Sequence, residues 1–185
     1  MIRPFVKLTA LCVMMATFAV ARADTMTVQS NDIGHGDFMA KTQEFKGFGC
    51  TGGNLSPHLS WSGAPEGTEA FAVFAYDPDA PTGSGWWHWQ LVNIPADVTE
   101  LEAGVGTADG EDLPEGSVQT RNDYGVAAFG GACPPEGDGA HRYQFTVFAL
   151  SQKLEIPEGA SAALTGYMVN AYALDSATIE ALYKR

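Results

Sequence analysis

Three apolar runs constrain the fold of this chain more than any other feature. They are rich in β-branched and aromatic residues and are bounded by Pro, Gly and Asp: Thr68–Tyr76, Trp87–Ile94 and His141–Leu150. Runs of this kind predict β-strands. Turn-forming residues dominate three intervening stretches, 52–65, 103–116 and 130–139. With further strand candidates at Met26–Ser30 and Phe38–Phe48, the pattern predicts a mainly antiparallel β domain.

The C-terminal stretch, residues 158–184, has a different pattern. Ser161 can cap a helix whose apolar positions follow helical spacing: Leu164, Met168, Ala171 and Tyr172. Asp175-Ser176 marks a break, after which further apolar residues continue the pattern: Ile179, Leu182 and Tyr183. We therefore expect a C-terminal helix or helix pair to close the β domain.

The N-terminus has the composition of a secretory signal peptide. Arg3 and Lys7 precede the apolar run Leu8–Val20, and Ala21-Arg22-Ala23 ends it with small residues. We predict a signal peptide over 1–23 and a single domain over 24–185, without stable membrane insertion after cleavage. The location is then periplasmic or secreted.

The charge of the chain argues against two classes of partner. The whole sequence has a formal net charge of −12, and removal of the three basic residues in 1–23 lowers it to −15. A protein this acidic repels nucleic acid and anionic membrane surfaces.

Two cysteines remain after the predicted cleavage, Cys50 and Cys133. In an exported protein such a pair favours a disulfide over free thiols. The bridge would close a loop of more than 80 residues and stabilise the fold by at most about 4–5 kcal/mol.

Polar residues gather where the predicted strands begin and end. Asp77 and Asp79 flank a proline at the end of one strand, His88 lies early in the next, and His141 and Tyr143 share a face of the third. Such a set suits a metal site, an acid–base pair or a ligand pocket with apolar walls.

The sequence leaves these alternatives open at this point. No HxH or HExxH spacing supports a metal site, and no GxSxG motif supports a serine hydrolase. The remaining histidines, His35 and His58, lie in Gly/Pro-rich loops and are predicted to be surface residues.

Five segments, taken in order, resemble one protein family. They are NLSPHLSW (54–61), YDPDAP (76–81), GWWHWQLVNIP (85–95), LPEGSVQTRNDYG (113–125) and GGACPPEGDGAHRYQFTVFAL (130–150). Together they resemble the phosphatidylethanolamine-binding protein family, and within it the bacterial Raf-kinase-inhibitor-like branch.

The resemblance implies a β-sandwich-like fold of antiparallel sheets with a small anion-binding cavity. Carried over residue by residue, the ligand-binding positions are Asp77, Asp79, His88, Pro135, His141 and Tyr143. Tyr183 resembles a tyrosine that lines the cavity in animal members. The family pattern implies neither catalytic residues nor a metal or other cofactor.

This chain departs from the family pattern at the rim of the cavity. Only six residues separate Pro81 from His88, Trp87 replaces a second histidine, and Ala171-Tyr172 stands where a Gly-His pair is usual. Recognition of a protein partner, which depends on such rims, is therefore not expected to transfer directly.

The charges favour a zwitterionic ligand over bare phosphate. Asp77 and Asp79 are expected to raise the pKa values of the nearby imidazoles and to attract an ammonium group. The sequence thus predicts an exported, non-enzymatic binding protein for a phosphoethanolamine-like ligand. Inhibition of a kinase or protease through protein–protein contact is one alternative, and metal-assisted hydrolysis is a second.

Overall fold

The computed structural model describes residues 25–185, so the predicted signal peptide at 1–23 lies outside the described residues. Ten strands, one turn of 3-10 helix (Lys41–Gln43) and one α-helix are present in this range. In chain order they are β1 (Thr27–Gln29), β2 (Lys46–Gly47), β3 (Cys50–Thr51), β4 (Leu59–Ser62), β5 (Ala70–Asp77), β6 (Trp86–Pro95), β7 (Glu100–Leu101), β8 (Val118–Gln119), β9 (His141–Leu150), α1 (Ala162–Tyr172) and β10 (Ala173–Tyr183).

A five-stranded antiparallel sheet, in the order β10-β9-β5-β6-β8, is the main layer. Its central strand, β5, is buried on both faces, which explains its uninterrupted apolar sequence. Alternate side chains of β5 enter two different cores: Phe71, Val73 and Ala75 on one face, and Ala70, Ala72 and Phe74 on the other.

A three-stranded antiparallel sheet, in the order β1-β4-β7, packs against the first of these faces. The shared core includes Leu59 and Trp61 from β4, opposite Phe71 and Phe145 of the main sheet. The other face is covered by α1 and the segment before it, through Leu154 and Val169. The predicted sandwich-like, mainly β architecture is confirmed.

The C-terminal prediction is confirmed for one helix and wrong for a second. Ser161 caps α1, since its side chain accepts a hydrogen bond from the amide of Leu164 (3.2 Å). Residues 173–183 instead form β10, which pairs along its length with β9. The apolar residues of β10 that face the core, Ile179, Ala181 and Tyr183, follow a period of two that the helical reading overlooked.

The N-terminal strand predictions have mixed outcomes. Residues 27–29 form β1, as expected, whereas Phe38–Phe48 is not one strand. That segment holds isolated bridges at Phe38 and Glu44, the 3-10 turn and the short strand β2.

The predicted disulfide between Cys50 and Cys133 is confirmed, with the two Cα atoms 6.0 Å apart. It ties the small β2–β3 hairpin to the segment that precedes β9. Across residues 25–185, no helix combines the length and the apolar character that a membrane crossing requires.

Candidate functional site

The register of the main sheet brings three strand ends to one edge. Because β5 runs antiparallel to both β6 and β9, its last residue lies beside the first residues of those strands. Asp77 pairs with Trp86 across one side, and Tyr76 pairs with Gln144 across the other. The polar residues that the sequence places at strand ends therefore meet.

Asp77 is the centre of this edge and is 2% exposed. One carboxylate oxygen, Oδ1, accepts hydrogen bonds from the amides of Asp79 (2.8 Å) and Ala80 (3.1 Å). The other, Oδ2, accepts from Nδ1 of His141 at 2.8 Å. In every one of these contacts Asp77 is the acceptor, and His141 is thereby fixed with its Nδ1 directed at Asp77.

His88 is held by the backbone of the segment before β9. Its Nδ1 lies 2.7 Å from the carbonyl oxygen of Gly130 and 3.1 Å from that of Gly131. Carbonyl oxygens only accept, so Nδ1 carries the hydrogen. Burial lowers the pKa of His88, and this outweighs the opposing effect of the two carbonyls and the Asp77 carboxylate.

The expected rise in imidazole pKa is therefore wrong for His88, which stays neutral at pH 7. With Nδ1–H donated to the backbone, Nε2 of neutral His88 has a free lone pair and can accept a hydrogen bond. Within residues 25–185, Nε2 makes no hydrogen bond.

Glycine is required in the backbone that holds His88. A Cβ at Gly131 would collide with the backbone of Gln43 and Phe45, and one at Gly130 would collide with the ring of Tyr124. The close approach lets both glycine carbonyls reach the imidazole, while the Gly130 amide donates back to the His88 carbonyl at 2.9 Å.

These side chains surround a pocket of about 170 Å³. Its wall consists of Phe48, Asp77, Ala80, Pro81, Thr82, Trp86, His88, Tyr124, Cys133, Pro134, Pro135, His141 and Tyr143. The structure thus brings together five of the six predicted ligand-binding residues. Tyr183 lies at the same sheet edge, opposite His141, but its hydroxyl donates to Glu44 (2.6 Å).

Two buried polar atoms in the pocket wall have no partner among the described residues: the indole Nε1 of Trp86 and the hydroxyl of Tyr143. Both can donate a hydrogen bond. Burial and the adjacent Asp77 carboxylate, which is near the hydroxyl but makes no hydrogen bond of normal geometry with it, raise the pKa of Tyr143, so its hydroxyl keeps the proton. Buried donors are normally satisfied, which makes this pocket chemically suited to an acceptor from outside the chain.

Asp79, the sixth predicted residue, faces away from the pocket. Its carboxylate binds Arg142 through Nε (2.9 Å), Nη2 (2.8 Å) and the backbone amide (2.9 Å). The Arg142 guanidinium holds the pKa of Asp79 down at about 2. Asp79 thus fastens the loop after β5 to the start of β9.

The candidate metal ligands do not converge. Asp77 and Asp79 point to opposite sides, and both carboxylates are already engaged by protein donors. In the part of the chain from 25 to 185, no group of three or more His, Cys, Asp or Glu side chains is arranged to hold a metal ion.

Two aromatic residues of the pocket wall, Phe48 and Tyr124, are not predicted from the sequence. Phe48 lies 71% exposed at its rim, and Tyr124 stacks on Phe45 with ring centroids 3.9 Å apart. Tyr124 could have been singled out from the quoted NDYG turn, since turn aromatics often line pockets. Phe48 carries no local signal because tertiary packing alone places it there.

The two other histidines differ from each other. His35 is exposed, as predicted. The surface prediction for His58 is wrong: it is 5% exposed, its Nδ1 accepts from the Asn31 amide (3.1 Å), and its Nε2 contacts Glu100 (3.3 Å). A polar network between loops buries it.

Comparison with known proteins agrees with this architecture. The sequence profile of the family described as phosphatidylethanolamine-binding protein matches residues 29–184. The UPF0098 protein YbcL of Escherichia coli K12 is 55% identical over 165 residues, which cover 89% of this chain and 90% of that protein. The UPF0098 protein YbhB of the same organism is 47% identical over 159 residues, covering 85% and 99%.

A solved structure extends the similarity to three dimensions. The crystal structure of E. coli YbcL, described as a new member of the mammalian PEBP family, aligns with a TM-score of 0.85 over 86% of this chain and 98% of that one. On sequence and fold together, the chain belongs to the phosphatidylethanolamine-binding protein family.

Proposed function

We propose that this protein is an exported, non-enzymatic binding protein whose pocket takes a small anion, specifically a phosphate monoester head group of the phosphoethanolamine kind. The observation that carries the proposal is the pair of unsatisfied donors in the pocket wall, Trp86 Nε1 and the Tyr143 hydroxyl. A phosphate oxygen would satisfy both, and hydrogen bonds to an ionised acceptor are roughly twice as strong as neutral ones.

The histidines determine which protonation state of phosphate suits the pocket. Neutral His88 offers an acceptor at Nε2, so it complements a phosphate that still carries a proton. The ionised Asp77 nearby disfavours a second negative charge. A phosphate monoester has its second pKa at about 6 and exists partly as the monoanion near neutral pH.

The pocket wall supports binding rather than chemistry. The wall contains two nucleophiles of the Ser/Cys/Thr type, and both are engaged. Cys133 is in the disulfide, and the Thr82 hydroxyl donates to the carbonyl oxygen of Gly85. The raised pKa of Tyr143 also keeps that hydroxyl in its unreactive form.

Export is supported by the disulfide, because such bonds persist in oxidising compartments and are rare in the cytosol. The signal-like composition of residues 1–23 points the same way. A periplasmic or secreted protein would meet lipid head groups and their hydrolysis products.

The test is an NMR titration of the mature, metal-free protein with phosphorylethanolamine, following the ring signals of all four histidines. We expect His88 and His141 to shift together and saturate, while His35 and His58 serve as internal controls and stay unchanged. Affinity should fall as pH rises from about 5.5 to 8, because the ligand loses the proton that His88 accepts.

Two results would contradict the proposal. If the His88 and His141 signals do not move at millimolar ligand, the pocket is not a phosphate monoester site. If they move only after zinc is added, metal binding replaces anion binding as the function of these residues.

A further inference from the structure

Asp138 stands beside the pocket in a position that the family resemblance does not single out. It lies in the loop before β9, between Gly137 (φ 87°) and Gly139, and its side chain is 46% exposed. Its Oδ2 is 3.6 Å from Nε2 of His141, the imidazole nitrogen not used by Asp77. At that distance it is an electrostatic neighbour of the ring and not a hydrogen-bond partner.

The other carboxylates near the pocket are committed to protein donors. Asp77 accepts two backbone amides and His141, Asp79 is bound by Arg142, and Asp123 accepts the amide of Trp87 at 2.7 Å. The Asp138 carboxylate accepts no hydrogen bond from any residue between 25 and 185. The Asp138 carboxylate is therefore the one at this site whose oxygens are free to pair with a cation.

An independent feature of the pocket fixes where the anionic part of a ligand would go. The Tyr143 hydroxyl is unsatisfied although the residue is only 2% exposed, and the Trp86 indole nitrogen is unsatisfied in the same wall. Both donors belong to residues that line the pocket and lack an acceptor within residues 25–185. The binding surface thus combines a donor-rich interior with one free carboxylate beside His141.

We propose that Asp138 is a specificity-determining residue, which receives a cationic amine attached to the bound phosphate and discriminates against anions that lack one. The inference rests on the proposed phosphate-monoester site. A ligand oxygen hydrogen-bonded to His141 Nε2 would lie within a few ångströms of the Asp138 carboxylate. At that distance the negative charge of the ligand phosphate and that of the Asp138 carboxylate repel each other. An ammonium group that is joined to the phosphate by a two-carbon linker is instead attracted to Asp138.

The effect on affinity should be moderate because Asp138 is half exposed. Partly solvated charge pairs at this separation change the affinity for one ligand by about two- to fivefold, and salt weakens them. The sign differs between ligands: Asp138 favours a phosphate monoester with an amine and opposes one without.

The experiment compares phosphorylethanolamine with ethyl phosphate, which has a similar size and the same phosphate but no amine. Dissociation constants are measured by calorimetry at pH 7 and low salt for the wild type, Asp138→Asn and Glu136→Gln. Glu136 is a matched control: it lies in the same loop, is 81% exposed, and contacts Arg185 at 3.4 Å rather than His141. The exchange at Asp138 is isosteric and exposed, and circular dichroism checks that both variants fold.

We expect the wild type to prefer phosphorylethanolamine, Asp138→Asn to lose about tenfold of that preference, and Glu136→Gln to keep it within twofold. Equal preference in the two variants would overturn the role of Asp138 and leave the phosphate site standing. If neither ligand binds to any of the three proteins, both the inference and the proposed function are overturned.

Discussion

Two carboxylates, Asp77 and Asp79, bind nitrogen donors at the start of β9, and the two pairs differ mainly in their burial. The inner pair, Asp77 with His141, has side chains that are 3% and 6% exposed. The outer pair, Asp79 with Arg142, is 31% and 47% exposed. Each pair links the end of β5 or its following loop to the first residues of β9.

The alternation of a β-strand explains how neighbouring residues reach such different surroundings. His141 and Arg142 are adjacent in sequence and therefore point to opposite faces of the sheet. The inner pair is buried and lines the pocket beside the buried Tyr143, whereas the outer pair is partly exposed to solvent. One strand start can therefore line a pocket with one face and attach a loop with the other.

Breaking the inner pair should have the largest effect. Asp77→Ala leaves two amides and the buried His141 nitrogen without their acceptor, so we expect the free energy of unfolding to fall by about 3–5 kcal/mol. Urea denaturation followed by circular dichroism measures this. Ligand binding at the pocket should be lost as well.

The matched control is the outer pair, described below, in which a carboxylate also binds a nitrogen donor at the start of β9. If Asp77→Ala lowers stability by no more than the outer substitutions do, burial is not what distinguishes the two pairs.

The inner region should also respond to pH near neutrality. The pKa of His88 is lowered in the folded protein by burial, while in the unfolded chain it is about 6.5. At a pH between the folded-state and the unfolded-state pKa of His88, the unfolded chain binds more protons than the folded protein. The contribution of His88 to the free energy of unfolding is therefore fully present above about pH 6.5 and declines as pH falls below it. Because a single proton is involved, the free energy of unfolding can change by at most about 1.4 kcal/mol per pH unit.

Urea denaturation at several pH values from 5 to 8 measures that slope for the wild type, for His88→Gln and for His35→Gln. The slope should decrease in His88→Gln and persist in His35→Gln, since His35 is exposed. An unchanged slope in His88→Gln would show that another group is responsible.

Breaking the outer pair should have the smallest effect. Arg142→Ala removes a bidentate contact in solvent, so we expect only a small loss of stability, well below that of Asp77→Ala, and this loss should shrink further in high salt. Because the pKa of Asp79 is lowered to about 2, the contribution of the pair is present above about pH 4 and is lost as pH falls towards 2. Acid titration of stability in the wild type and in Arg142→Ala checks both the size and the pH range.

Ligand affinity should also distinguish the inner pair from the outer pair. Arg142→Ala should leave the dissociation constant for phosphorylethanolamine within about threefold of the wild type, because the guanidinium does not line the pocket. A much larger loss would mean that the outer pair positions the binding residues through the loop after β5.

Much of the fold followed from local sequence pattern. The three apolar runs were identified as strands because their composition and their bounding turn residues agree, and the structure places them at Ala70–Asp77, Trp86–Pro95 and His141–Leu150. The strand β10 was misassigned because Ala and Leu suit a helix locally, and only pairing with β9 selects the extended form.

For the candidate site, too, some residues could be predicted from the sequence and others could not. Residue type and strand-end position were enough to name Asp77, His88, His141 and Tyr143, which line the pocket together with Pro135. They were not enough to place Asp79 on the outside, to bury His58, or to find Phe48 in the wall. Each of those depends on contacts between residues far apart in the chain.

The sequence by itself determined the strand-rich architecture, the disulfide and the polar groups that meet at one sheet edge. These features depend on periodicity, turn chemistry and residue type, which are local properties. Only the tertiary structure decided which carboxylate faces inward, that His88 stays neutral, and that Asp138 stands beside His141 without a hydrogen-bonding partner. Burial and the pairing of distant groups set those outcomes, since desolvation and charge act through space and not along the chain.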